Sequence, residues 1–361
     1  MSGRRALMMA MAQKEPYFTI DLNITSDNLQ FGVLPYWHTG GYCNIVDWGD
    51  GSYQAAINSG TALTHTYAEA GTYKVKVRGD MHRFRVGSTN PAAVTDCNGN
   101  WEALGNITDG CQMFQSCGFT GTSFTQLPAG LTNGDMMFQS CGPCSIKHGL
   151  PVNLASMSTM FNGSGISLEF IVDKLPNSLT SLYRAFRLMK SGQFDFDSIT
   201  ENAPANGWSL LTDLEGCFCG EHTYDYENST GSLAQFMHKL PNVAGTGGFI
   251  FYGFRSSNCA VTLFGEDDYF EITLTTTAAS QVWGFTATSD AGRWYFVDWG
   301  DNSETHTQQM TKNSYSFTSG SKVSHTFATP GTYHIKLATA PCTIVFDPYD
   351  SDNGNYAALG Q

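Results

Sequence analysis

The sequence predicts a mainly β protein: two β-sandwich modules flanking a segment of short stacked repeats. Three observations carry this. The first is duplication, because a stretch near residue 16 recurs near residue 268 with matching strands, turns and exits. The second is alternation, in which Ile20, Leu22 and Ile24, then Val75 and Val77, stand between polar residues, the period of a half-buried strand. The third is a Leu-Pro/Phe period running through the middle of the chain.

Composition sets the limits. The chain has 361 residues, enough for two or three domains, with 41% hydrophobic and 14% charged residues against a usual ~25% charged. With 19 Lys+Arg against 32 Asp+Glu the net charge is -13, which argues against nucleic acid or an anionic membrane as the main partner. No apolar run approaches the ~20 residues that a membrane-spanning helix needs, so no membrane insertion is expected.

Taken in order, residues 1–15 form an N-terminal arm in which Arg4 and Arg5 precede an apolar stretch with Leu7, Met8, Met9 and Met11. The stretch has seven residues, at the lower end for a signal peptide, and Gln13-Lys-Glu-Pro follows at once. The expectation is an assembly arm that docks on a neighbour. Of the ten cysteines, seven lie between 111 and 259, several of them at one repeat position, and they are expected to be mostly reduced, buried thiols.

The first module, 16–95, opens with Pro16-Tyr-Phe-Thr-Ile-Asp-Leu and carries Ile45-Val-Asp-Trp-Gly-Asp-Gly-Ser52, then Thr64-His-Thr-Tyr67 and Gly71-Thr-Tyr73. The second, 263–346, carries Phe296-Val-Asp-Trp-Gly-Asp-Asn-Ser303, Ser324-His-Thr-Phe327 and Gly331-Thr-Tyr333. Trp48 and Trp299 supply the large ring of a thin two-sheet core, and Asp50-Gly51 and Asp301-Asn302 suit tight turns. Gly71 and Gly331 are read as the start of the last long strand of each module. The exits match as Asn98-Gly-Asn-Trp-Glu-Ala-Leu-Gly105 and Asn353-Gly-Asn-Tyr-Ala-Ala-Leu-Gly360. The motif Trp48, Gly49, Asp50, His65, Tyr67, Gly71, Tyr73 and its second copy Trp299, Gly300, Asp301, His325, Phe327, Gly331, Tyr333 resemble the polycystic-kidney-disease (PKD) domain. The second copy departs from it at Asn302, where glycine is usual, and in a longer insert before His325. The resemblance implies an immunoglobulin-like sandwich used as spacer or adhesion module, without catalysis.

Residues 96–262 repeat Leu127-Pro128, Leu150-Pro151, Leu175-Pro176 and Leu240-Pro241, each followed ten residues after Pro by Phe138, Phe161, Phe186 or Phe251. Ala203-Pro204 with Phe218 is a longer copy, and Phe114 closes a lead-in unit. The spacings from Phe114 are 24, 23, 25, 32 and 33 residues, the short ones within the ~20–29 of leucine-rich repeats. Leu131, Met137 and Phe138, like Leu154, Met157, Met160 and Phe161, are expected to face inward. Cys117, Cys141 and Ser164 share one position. The segment resembles the BspA-like leucine-rich repeat family, which implies a solenoid serving attachment to proteins or matrix. The fold class is therefore two immunoglobulin-like, PKD-like sandwiches flanking a leucine-rich-repeat solenoid, with a tail at 347–361.

Chemical motifs weigh little beside this. Cys141-Gly-Pro-Cys144 matches a thioredoxin tetrapeptide but lacks a surrounding βαβ pattern. Cys217-Phe-Cys-Gly-Glu-His222 has no second zinc-binding half, and Asp347-Pro-Tyr-Asp-Ser-Asp-Asn-Gly354 lacks the acidic closing ligand of a calcium loop. Neither H-E-x-x-H nor G-x-S-x-G occurs. Lys74, Lys76, Arg78, Arg83 and Arg85 read as a solvated basic face, and Trp37, Tyr224, Tyr226 and Tyr252 as aromatics that would stack on sugars if exposed. No catalytic residue, metal or cofactor is expected. The expected function is that of a non-enzymatic virion component of a bacterial virus: capsid decoration, tail or fibre, assembled in the host cytoplasm. Its partners would be other virion proteins, copies of itself, or a bacterial surface glycan or protein. A secreted bacterial adhesin is the alternative.

Overall fold

The structure is a computed structural model that describes residues 17–39, 43–55, 59–218, 229–240, 260–262, 269–288, 295–301, 322–339, 343–347 and 358–359. It is mainly β, with several antiparallel sheets. The chain divides into two compact units. The first comprises the described residues up to Leu154 together with Gly163–Glu169, and the second Ala155–Asn162 together with those from Phe170 on.

In the first unit, strands β1 (Phe18–Ile24), β2 (Gln30–Trp37), β3 (Cys43–Asp47), β4 (Tyr53–Gln54), β5 (Leu63–Thr66), β6 (Gly71–Gly79), β7 (Met81–Thr89) and β8 (Val94–Cys97) form two sheets. Their orders are β4-β3-β6-β1-β8 and β5-β2-β7. β1 and β6 pair antiparallel from Phe18↔Val77 to Ile24↔Gly71. That register puts Phe18, Ile20, Leu22, Val75 and Val77 on one buried face. Phe31 and Val33 of β2 and Phe84 and Val86 of β7 are fully buried too, and Phe18 meets Phe84 edge-on at 6.0 Å. Each such side chain contributes roughly 1.5–3 kcal/mol by burial. β6 is not the last long strand of this module, because nine-residue β7 follows after a single residue. Met81, Phe84 and Val86 are its apolar face, interrupted by charges that obscure the alternation.

The repeats of this unit have two sides. On one, β9 (Thr122–Phe124), β10 (Cys144–Ile146) and the start of β11 (Ile166–Val172) pair in parallel, with Cys144 opposite both Thr122 and Ile166. On the other, the residues around each Phe run as consecutive turns. The amides of Gly110, Gln112, Phe114 and Ser116 donate to the carbonyls of Asn133, Asp135, Met137 and Gln139 at 2.7–3.0 Å. Phe114 and Phe138 stack between the sides, their centroids 5.3 Å apart. The strands of the first module continue both sides. The Val86 amide donates to Met113 O at 2.9 Å, and Thr120 N donates to Thr95 O of β8 at 3.1 Å.

In the second unit the same turn ladder links Met157 to Ser181, Thr159 to Tyr183 and Phe161 to Ala185, then Leu182 to Asp213, Arg184 to Glu215 and Phe186 to Cys217. Phe161, Phe186 and Phe218 stack at 5.7 and 5.5 Å. After β12 (Ser191–Phe194), the 32-residue spacing holds α1 (Phe196–Glu201), whose first turn is capped by Asp195 accepting from Ser198 N at 3.1 Å. β13 (Thr230–Ser232) leads into α2 (Leu233–His238) and pairs in parallel with β14 (Ala260–Thr262). Beyond lie β15 (Phe270–Thr276), β16 (Gln281–Thr288), β17 (Tyr295–Asp298), β18 (Lys322–Phe327), β19 (Gly331–Thr339), β20 (Thr343–Asp347) and β21 (Ala358–Leu359). They form sheets ordered β17-β19-β15-β21 and β18-β16-β20. β15 and β19 pair from Phe270↔Leu337 to Thr276↔Gly331, the seven-pair register of β1 and β6. Both sheets bury one core around Trp283, Phe285, Trp299 and Phe327.

Candidate functional site

The motif shared by the two modules closes into one constellation in each. Trp48 directly follows β3 and is 1% exposed; His65, on β5, lies flat against it with centroids 5.2 Å apart and planes 15° apart. His65 Nε2 meets Asp50 Oδ2 at 2.7 Å, and the Tyr67 hydroxyl donates to Trp48 O at 2.9 Å. Tyr73 stacks on Tyr67 at 4.0 Å and donates its own hydroxyl to Glu69 O at 2.9 Å. In the second module His325 stacks on Trp299 at 5.0 Å and 15°, meets Asp301 at 2.7 Å, and packs edge-on against Phe327. Phe327 meets Tyr333, whose hydroxyl donates to Thr329 O at 2.6 Å.

The glycine directly after each of these tryptophans is required by space. Gly49 has φ +83°, and a Cβ there would stand 2.6 Å from Lys74 O. Gly300 has φ +70°, with 2.4 Å to His334 O. Each amide is anchored by the preceding aspartate, Gly49 N to Asp47 Oδ1 and Gly300 N to Asp298 Oδ1, both at 2.9 Å. At Gly71 and Gly331, by contrast, a Cβ would meet only the Tyr73 and Tyr333 rings at ordinary contact distances of 3.5–3.8 Å.

The side chains of Asp50, Ser52 and His65 are the types of a hydrolytic triad, yet their geometry differs from one. Both Ser52 Oγ (3.5 Å) and Asp50 (2.7 Å) approach the same nitrogen, Nε2, and Ser52 Oγ donates to Asp50 Oδ1 at 2.5 Å. A triad places the acid on Nδ1 and the nucleophile on Nε2, so that the imidazole relays a proton between them. Here the serine proton goes to the carboxylate. Partial burial alone would raise the Asp50 carboxyl, but hydrogen bonds from Ser52 and His65 outweigh it and bring its pKa down to about 2. Burial, reinforced by the charge of Asp50, pushes the Tyr67 phenol up.

The chain matches no family model, no curated protein and no solved structure.

Other sequence candidates are placed as follows. Cys97, Cys111, Cys117, Cys141, Cys144 and Cys217 are free thiols, all but Cys111 buried. Cys141 Sγ lies 3.6 Å from Cys144 Sγ, and this hydrogen bond together with burial pushes the Cys144 thiol up, away from the reactive thiolate. Lys74 and Arg78 of the basic stripe are exposed, whereas Arg83 and Arg85 are only partly exposed and are partnered across to the first repeats. Lys74 pairs with Asp21, Arg83 lies over the Tyr36 ring and 3.6 Å from Asp109, and Arg85 donates to Gln112 and Gln115. No group of three metal-ligating side chains is found among the described residues. Trp37 is partly exposed, whereas Tyr224, Tyr226, Tyr252, the arm residues Arg4, Arg5, Leu7, Met8, Met9 and Met11, and residues 348–354 lie outside the described residues.

Two recurrent positions were missed in the sequence. Five residues before each Phe stands a small polar residue: Asp109, Asn133, Ser156, Ser181 and Asp213. Together with Arg83 of β7 they form single parallel bridges in each unit. Asp109, Asn133 and Asp213 also accept the amide two residues on, at 2.9–3.1 Å. Two residues before each Phe the backbone is left-handed, at Gln112, Met136, Thr159, Arg184 and Gly216 with φ between +50° and +61°. The fixed spacing of the polar residue was available as a signal; the left-handed position, occupied by unlike side chains, offered none.

Proposed function

We propose that the chain is a non-enzymatic structural and attachment component of a bacterial virus particle. It is built from two immunoglobulin-like, PKD-type sandwiches and BspA-like leucine-rich repeats that stack as a solenoid segment within each unit. The observation that carries this reading is that the residues shared by the two modules serve packing and turn geometry: tryptophan, stacked histidine, paired aspartate and space-limited glycine. A duplicated element whose recurring residues hold it rigid suits a spacer. The joining of β7 and β8 to the first repeat supports the same reading, since strand edges that would otherwise stay open are paired.

In this reading the arm at residues 1–15 anchors the protein to a neighbouring subunit. Burial of Leu7, Met8, Met9 and Met11 against a partner, at about 25 cal/mol per Å2, supplies several kcal/mol, offset in part by the cost of association. Deletion of residues 2–13 should leave a folded protein that no longer joins its particle. Incorporation at the wild-type level overturns the anchor. The second reading, a secreted adhesin, draws on Arg4-Arg5 preceding an apolar stretch. It requires that the mature protein begin near Gln13.

A further inference from the structure

The exit segment 98–105, whose sequence recurs after the second module, joins the sandwich core to the first repeats: Leu104 is buried, and Trp101 packs against Phe18 and Phe124. Six of its eight residues line a solvent-open cavity of about 570 Å3, faced on the other side by residues 125–130. That volume lies within the ~300–1,000 Å3 of small-molecule sites.

The walls are held rigidly. Asn98 Oδ1 accepts from Thr19 N and Asn100 N, and its Nδ2 donates to Tyr17 O at 3.0 Å. Trp101 is fixed by Nε1 donating to Gln126 O at 2.8 Å and by Phe18 and Phe124, with ring centroids 5.6 and 5.7 Å away. The Asn106 carbonyl is held by His38 Nε2 at 3.2 Å. On this frame Asn106 and Gln126 are exposed at the cavity wall, and their side-chain amides, with no hydrogen bond among the described residues, are open to a ligand. An amide offers a donor and an acceptor on adjacent atoms, the pattern that vicinal hydroxyls match. The ionisable lining group is Glu102; no Lys, Arg or His lines the cavity. With a chain charge of -13, anionic ligands are disfavoured.

We infer that this cavity binds a neutral saccharide, with Asn106 and Gln126 hydrogen-bonding its hydroxyls and Trp101 forming the apolar wall. This deepens the attachment reading by naming the ligand class and its place.

The test is saturation-transfer NMR and titration on the full chain with neutral hexose and N-acetylhexosamine oligosaccharides, and with sialylated and uronate oligosaccharides for comparison. Saturation transfer to a neutral sugar is expected, with affinity falling at least tenfold in Gln126→Ala and Asn106→Ala at unchanged melting temperature. The anionic sugars should bind more weakly. Absence of neutral-sugar binding at millimolar concentration, unchanged affinity in both variants, or preference for the anionic sugars overturns the proposal. Incorporation of Gln126→Ala into particles reads the structural role separately: normal incorporation with lost sugar binding supports both. An empty cavity in a normally incorporated wild-type chain sinks only the saccharide.

Discussion

Replacing Trp48 with alanine should unfold the first unit well before the second. Trp48 is 1% exposed, sits edge-on to Phe31 at 6.5 Å, and carries the stacked His65 on its face. Its loss leaves a cavity in a two-sheet core and removes the platform that orients the His65–Asp50 pair. Truncation of a buried tryptophan costs about 3–5 kcal/mol, and in a unit of this size that is roughly a 6–20 °C fall in melting temperature. Calorimetry of the full chain should show the first-unit transition moving while the second stays. Tyr53→Ala, at a ring 68% exposed on β4, is the control and should change stability by less than about 0.5 kcal/mol. A Trp48→Ala loss below about 1 kcal/mol would refute the packing argument and point to a tryptophan available for ligand.

Gly49→Ala and Gly300→Ala should each destabilise by about 1–3 kcal/mol in urea melts, because a Cβ meets backbone oxygen at 2.6 and 2.4 Å and φ is positive; a neutral result shows the turn free to move. Cys97, Cys117, Cys141, Cys144 and Cys217 should resist alkylation in the native protein and react after denaturation, whereas fast native labelling of any of them contradicts its burial. Asp50 has a pKa lowered to about 2 from 3.8, so its contribution to stability is present above about pH 4 and lost as pH falls through 2. Acid titration of stability should show this slope in wild type and a reduced one in Asp50→Asn; identical curves remove the Ser52 and His65 hydrogen bonds as the cause.

Much of this was legible in the chain, for physical reasons that differ by element. Alternation reports burial directly, so Ile20, Leu22, Ile24, Val75 and Val77 were readable as core from their period alone. Duplication marks Trp48, Asp50 and His65 as one group, and the stacked ring and the 2.7 Å His65–Asp50 contact join them. The Phe period likewise located the stack, because each ring needs the next to cover it. β7 escaped, since Arg83 and Arg85 break its apolar pattern while pairing with Asp109, Gln112 and Gln115 on the neighbouring repeat. The left-handed residues escaped because inter-repeat hydrogen bonds, not side-chain preference, impose that backbone; a β-branched Thr159 at φ +52° is held there by its ladder. The cavity escaped because Thr125–Gly130 reaches segment 98–105 only once the repeats are stacked.

Fractionation of particles released by the cells that encode this chain, followed by intact mass of the recovered protein, tests the central proposal most directly. Cosedimentation with particles at many copies each, with residues 2–13 retained, is the expected result. Recovery only from the cell envelope or medium, with a chain that begins near Gln13, contradicts it.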